Sequence, residues 1–136
     1  MACKPPKRLL RFLVVKIGVM EVAMNPRVWS FQFLQPDLGR TGITGGLRLA
    51  ARAAALGMEV VPHVSIAMAP QIAAAMHFAA AAPACHICEF NPAVVVIANG
   101  YSPQPIVMEN ARYIISDSPG LGVSILEENL SRDIVR

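Results

Sequence analysis

Three ionisable residues stand at the ends of short apolar runs: Asp37 after Phe31 to Gln35, His63 after Met58 to Val61, and Glu89 in Ile87 to Phe90. If those runs are parallel strands, their C-terminal ends bring the three side chains to one face. A histidine titrates near neutral pH and suits proton transfer, and a carboxylate on a neighbouring strand can orient it and support its protonated form. A further carboxyl, kept protonated, can donate to an oxyanion developing on a substrate. Each residue alone has a plainer reading, since an Asp after Pro often caps a loop and a lone His is usually structural. Their recurrence on successive runs favours the chemical reading. His77 sits among alanines and reads as a packing residue, while His86 alternates within the last run and points outward or into a helix layer.

Cys85 and Cys88 form a Cys-x-x-Cys around His86. A zinc site would need a second ligand pair, and neither Cys3 nor the other histidines supply the spacing. A redox motif would sit at the start of a helix. The run from Cys85 to Phe90 reads better as a short buried strand, in which cysteine serves as a small hydrophobe.

The elements that must position these residues follow in order. Phe31 to Gln35 is a strand ending at Pro36-Asp37, and Leu38 to Gly46 is a glycine-containing loop. A helix follows over Leu47 to Leu56, with Thr44 as N-cap and Gly57 as C-cap. Met58 to Val61 is the next strand. A second helix covers Pro70 to Ala81, with Pro70 suited to its first turn and Pro83 stopping it. Ile87 to Phe90 makes a third strand. This β-loop-α order implies parallel strands with crossover helices. No glycine-rich phosphate loop follows a strand, which weighs against a dinucleotide fold. Beyond Phe90 come a short helix near Val94 to Asn99 and a hairpin of Ile106 to Met108 with Tyr113 to Ile115. A Pro-Gly turn and a polar tail close the chain.

The chain has 136 residues, 54% of them hydrophobic and 15% charged. That length suits one modest domain, whereas a closed (β/α)₈ barrel needs about 250 residues. So apolar a chain is expected to expose patches or to lack partners. The net charge of +3 comes from a basic head, Lys4 to Lys16, ahead of the first acidic residue, Glu21. That head lacks aromatic interleaving, so nucleic acid is not expected as a partner. The apolar run from Phe12 is interrupted by Lys16 and no small-x-small site follows, so it makes a poor targeting signal. No stretch reaches the roughly 20 apolar residues of a membrane span, and a cytoplasmic location is expected.

Several of these residues fall in segments that resemble a known family. Gln35-Pro36-Asp37-Leu38-Gly39-Arg40-Thr41-Gly42-Ile43-Thr44 resembles a strand-end segment of the mandelate racemase branch of the enolase superfamily. Pro62-His63-Val64, the alanine-rich helix through Met76-His77-Phe78 with Cys88-Glu89-Phe90, and Ser118-Pro119-Gly120-Leu121-Gly122-Val123 resemble three further segments of that branch, in the same order. The resemblance implies an α/β fold: a partial (β/α)₈ TIM-type barrel comprising the last three βα units and a C-terminal extension. It implies residues 31–136 as that barrel portion and residues 1–30 as a divergent leader. It also implies a carboxylate substrate, such as a sugar acid, bound through Mg²⁺ and deprotonated at the α-carbon. Asp37 and His63 would form the acid–base dyad, and Glu89 would hydrogen-bond the intermediate. The paired Pro-Asp and Pro-His favour a racemase or acid-sugar dehydratase over a lysine-based cycloisomerase.

The family's metal ligands are carboxylates on three earlier strands. Glu21 is the only carboxylate ahead of Phe31 and lacks the expected interval to Asp37, so the ligands are missing from this chain. A non-catalytic piece acting through its apolar surface is the alternative. A homo-oligomer or a complementing fragment would complete the barrel.

Overall fold

A computed structural model describes residues 14–17 and 33–133; Lys4 to Arg11 of the basic head, Glu21 and the expected strand start at Phe31 lie outside the described residues. Its central sheet has three parallel strands in the order β1 (Val14–Ile17), β2 (Phe33–Pro36) and β3 (Glu59–Val60). Val14 to Ile17 register with Phe33 to Pro36, so a strand stands within the segment that the sequence suggested was a leader. Phe33 and Leu34 register with Glu59 and Val60.

Two residues per pleat place Leu34, Pro36, Val60 and Pro62 on one face and Phe33, Gln35, Asp37, Glu59 and His63 on the other. The first face is the buried one. Leu34 and Val60 pack there with Leu38, Ala50, Ala53, Met58, Phe78 and Ala82.

Helix α1 runs from Leu38 to Ala55 and crosses from β2 to β3. The expected loop over Leu38 to Gly46 is therefore helical. Asp37, rather than Thr44, is the N-cap, because its carboxylate accepts the Gly39 N–H at 2.9 Å. The glycine-rich composition survives as a kink at Gly42, whose φ of 65° and ψ of 168° leave the helical region. Gly57 (φ 69°) then takes the left-handed turn after the C-cap Leu56, as the sequence led one to expect.

Helix α2 spans Ala69–Ala81, matching the expected element with Pro70 in its first turn. Its alanines let it pack on two sides. Phe78 faces the sheet and α1, while Ala69, Ile72, Ala73, Ala75 and Met76 face a second core with Val64, Val95, Ala98 and Ile106. A Cβ on Gly46 would come within 3.1 Å of both Leu38 Cδ1 and Phe78 Cε2, so this glycine sets the close approach of α1 to α2.

The expected third strand, Ile87 to Phe90, does not form. Only Cys85 bridges to Val60, beside a Val60 N–H to Ala84 O bond of 2.8 Å. Past that point the Glu89 carbonyl accepts from the Tyr113 hydroxyl at 3.0 Å, so a side chain takes the place of a strand partner. Helix α3 (Pro92–Asn99) follows, N-capped by Asn91. The expected hairpin is present as β4 (Val107–Glu109) and β5 (Arg112–Ile114), joined by Asn110 and Ala111, both with positive φ. A two-residue hairpin turn of this hand needs that conformation at both central positions. The polar tail forms a short helix, α4 (Glu127–Asp133). No described helix is long and apolar enough to cross a membrane.

The parallel βα order is the one expected of a partial TIM-type barrel.

Candidate functional site

Each expected site residue lies just past the C-terminal end of a strand or of the Cys85 bridge. A backbone bond from His63 N–H to Pro36 O, 2.9 Å long, ties the ends of β2 and β3 together. His63 is 8% exposed, and its Nδ1 lies 2.8 Å from Glu89 Oε2. The same oxygen accepts the Val64 N–H at 2.7 Å. An ionised Glu89 has only lone pairs to offer, so in that state the imidazole Nδ1 facing it is the donor and carries a proton. Nε2 is then the ring atom left to exchange a proton.

The pairing differs from the expected one: the carboxylate that meets His63 is Glu89, not Asp37. Glu89 also accepts the Val64 N–H, so its carboxyl is engaged within the chain. The physical reason is reach: the turn after Val61 brings Val64 N–H and His63 Nδ1 side by side, and one carboxylate oxygen satisfies both.

Asp37 stands on the same sheet face, with its Oδ1 held by the Gly39 N–H at 2.9 Å and by Gln71 Nε2 at 3.0 Å. Arg40 Nε approaches Oδ2 at 3.7 Å, but the arginine side chain is 70% exposed, and such a pair contributes little. Gln71 and Tyr113 were missed by sequence reasoning. The one available signal for Gln71 was a long amide in the first turn of an otherwise alanine-rich helix. Tyr113 gave no signal, because it read as one residue of a hairpin.

Behind Glu89, the Tyr113 ring meets Phe90 edge-on at 5.9 Å between centroids. Burial, with added repulsion from Cys88 and Glu89, pushes the Tyr113 hydroxyl up to about 12. Cys88 is likewise raised to about 12, chiefly by burial and then by Cys85 and Glu89. Cys85 is raised by burial, against a weaker opposing bond to the Ile87 carbonyl. Both thiols are thus protonated at neutral pH, which suits packing rather than redox or thiolate-ligand chemistry. His77 is half-buried in α2 and His86 is exposed, in keeping with packing and outward-pointing readings.

Among the described residues, no three His, Cys, Asp or Glu side chains come together to hold a metal ion. Glu89 Oε2 already takes two donors and Asp37 Oδ1 two more. The described residues therefore do not fit a magnesium site, and Glu21 lies outside them.

Comparison with known proteins adds an independent line. Residues 24–129 match the family model described as enolase C-terminal domain-like. A mandelate racemase/muconate lactonizing enzyme from Jannaschia sp. CCS1 is similar at 27% identity and a TM-score of 0.70, over 78% of this chain and 27% of its own. A member of the enolase superfamily from Agrobacterium tumefaciens is similar at 27% identity and a TM-score of 0.68, over 74% of this chain and 26% of its own. An enolase protein from the Sargasso Sea environmental sequencing, at 22% identity and a TM-score of 0.66 over 76% of this chain and 27% of its own, shares the fold. The chain thus spans about a quarter of the length of these structures. The comparison with curated proteins gives no match.

Proposed function

The chain belongs to the enolase C-terminal domain-like family of the enolase superfamily, and from that premise we propose that it supplies the acid–base wall of an enzyme that moves the proton α to a carboxylate. Members of the family act on carboxylate substrates and generally use Mg²⁺. The observation that carries the reading is the 2.8 Å contact between His63 Nδ1, past the end of β3, and Glu89 Oε2, past the Cys85 bridge.

The chemistry follows from that contact. Glu89 fixes the ring so that Nε2 presents a lone pair, which accepts the α-proton. The imidazolium that forms is stabilised by the adjacent carboxylate, at a short distance and with limited access to water. As the α-C–H bond breaks, its electron pair moves toward the carboxylate. The proton delivered from Nε2 to a β-hydroxyl lets water leave while that pair closes the double bond, which is dehydration, whereas racemisation takes a separate acid on the opposite face. Asp37 Oδ2, free of any short hydrogen bond among the described residues, is the acceptor left for a substrate hydroxyl. This favours a hydroxylated acid, and among such acids a sugar acid undergoing dehydration. No step in this scheme runs through a metal ion.

The test is exchange of the α-proton into D₂O for a panel of sugar acids, followed by NMR with magnesium supplied. Exchange is expected, and His63→Asn should lower it by about a hundredfold or more, the scale of a general base. Equal exchange in His63→Asn would overturn the assignment. A second reading, a non-catalytic interaction module, is favoured by Ile66, Val96 and Ile97, which are 93%, 73% and 59% exposed. It expects a folded chain that exchanges no acid in the panel.

A further inference from the structure

The Asp37 carboxylate is held from a second helix. Gln71 lies in the first turn of α2, its own N–H bonded to Met68 O at 3.0 Å, and its Nε2 reaches across 34 residues of sequence to Asp37 Oδ1 at 3.0 Å. Its amide occupies the space beside Gly39. A Cβ at that glycine would stand 2.7 Å from Gln71 Oε1, 2.8 Å from Cδ and 2.9 Å from Nε2. Gly39 therefore has two roles at once: its N–H donates to Oδ1, and its missing side chain leaves room for the second donor.

We propose that Gln71 is a positioning residue for Asp37, with Gly39 as the clearance it requires. Two donors on Oδ1 stop rotation of the carboxylate and leave Oδ2 as the oxygen that meets a ligand. The only ion-pair neighbour of Oδ2 among the described residues is the solvated Arg40 at 3.7 Å. The clamp also links the end of β2 to the helix that begins shortly after His63, so the two strand ends hold a fixed relation. Asp37 has a backbone role as well, since it caps α1, but capping needs only the Gly39 N–H and not Gln71. The value of the clamp to a reaction rests on the proposed function; its existence does not.

NMR of the isolated chain tests it without any turnover. One Gln71 side-chain N–H should exchange with water roughly tenfold more slowly than a free amide, the factor expected of a hydrogen bond to a charged acceptor. That protection should vanish in Asp37→Ala and also in Gly39→Ala, which changes neither partner but displaces the amide. In Gln71→Met, close in shape but without a donor, the Asp37 β-proton couplings should pass from a single rotamer to an averaged set while the α1 amide signals stay in place. A merely structural glutamine would not move those couplings. An unprotected Gln71 amide in the unaltered chain, or a single Asp37 rotamer retained in Gln71→Met, would overturn the proposal. Should Gly39→Ala fail to fold, the Gln71→Met arm decides alone. A failed exchange assay with an intact clamp would refute the proposed function and leave this inference standing.

Discussion

Glu89 Oε2 stands 2.8 Å from His63 Nδ1 and accepts the Val64 N–H at 2.7 Å, and its backbone carbonyl accepts from the Tyr113 hydroxyl. One residue is thus held at both ends, and its neighbours register the crowding. Cys88 and Tyr113 are each pushed up to about 12, mainly by burial and partly by the Glu89 charge. Both folded values lie above the ordinary 9.0 and 10.0, so the unfolded chain loses these protons at lower pH than the folded chain does. The stability they contribute is full below about pH 9 and is lost as the pH rises from there toward about 12. Urea midpoints measured at pH 8, 10 and 11 should fall in that order, and Cys88→Ala together with Tyr113→Phe should flatten the fall. A flat profile in the unaltered chain would contradict this account of Cys88 and Tyr113. These effects were not legible in the sequence, because Cys85 to Phe90 reads as a plain apolar run with one carboxylate in it.

Two helices carry most of the packing around the strand ends, and their contact depends on small residues. Gly46 in α1 faces Phe78 of α2, which is 1% exposed, and a methyl group there would press on the ring and on Leu38 at 3.1 Å. Gly46→Ala is therefore expected to destabilise the chain by about 1–3 kcal/mol despite the better helix propensity of alanine, read as a lowered urea midpoint. A gain in stability would show that the α1–α2 contact is looser than described. The sequence hid this contact. Four glycines between Leu38 and Gly46 read as a loop, yet Asp37 caps a helix, Gly42 absorbs the break and Gly46 becomes a packing surface. The opposite error arose at Ile87 to Phe90. Its apolar pattern suits a strand, but a strand needs a ladder, and beyond Cys85 the described residues supply only the Tyr113 hydroxyl.

At the scale of the molecule, the alternation of β2, α1, β3 and α2, the hairpin and the strand-end placement of Asp37 and His63 were legible, because each depends on local spacing, whereas Glu89 follows only the Cys85 bridge. The partner of His63 was not. Whether a histidine meets the carboxylate 26 residues before it or the one 26 residues after it depends on side-chain rotation and on where Val64 N–H points, and neither is written in a pattern of residue types. The strand at Val14–Ile17 was equally hidden, since it lies in a segment whose basic and apolar composition suggested a leader. This fold brings Glu89 to His63, and the pairing fixes which ring nitrogen can take a proton. The ¹⁵N shifts of the neutral His63 ring report that pairing. A protonated Nδ1 and a bare Nε2 are expected, shifting toward the mixture of a free imidazole in Glu89→Ala. A ring protonated on Nε2 in the unaltered chain, or one indifferent to Glu89→Ala, would contradict it.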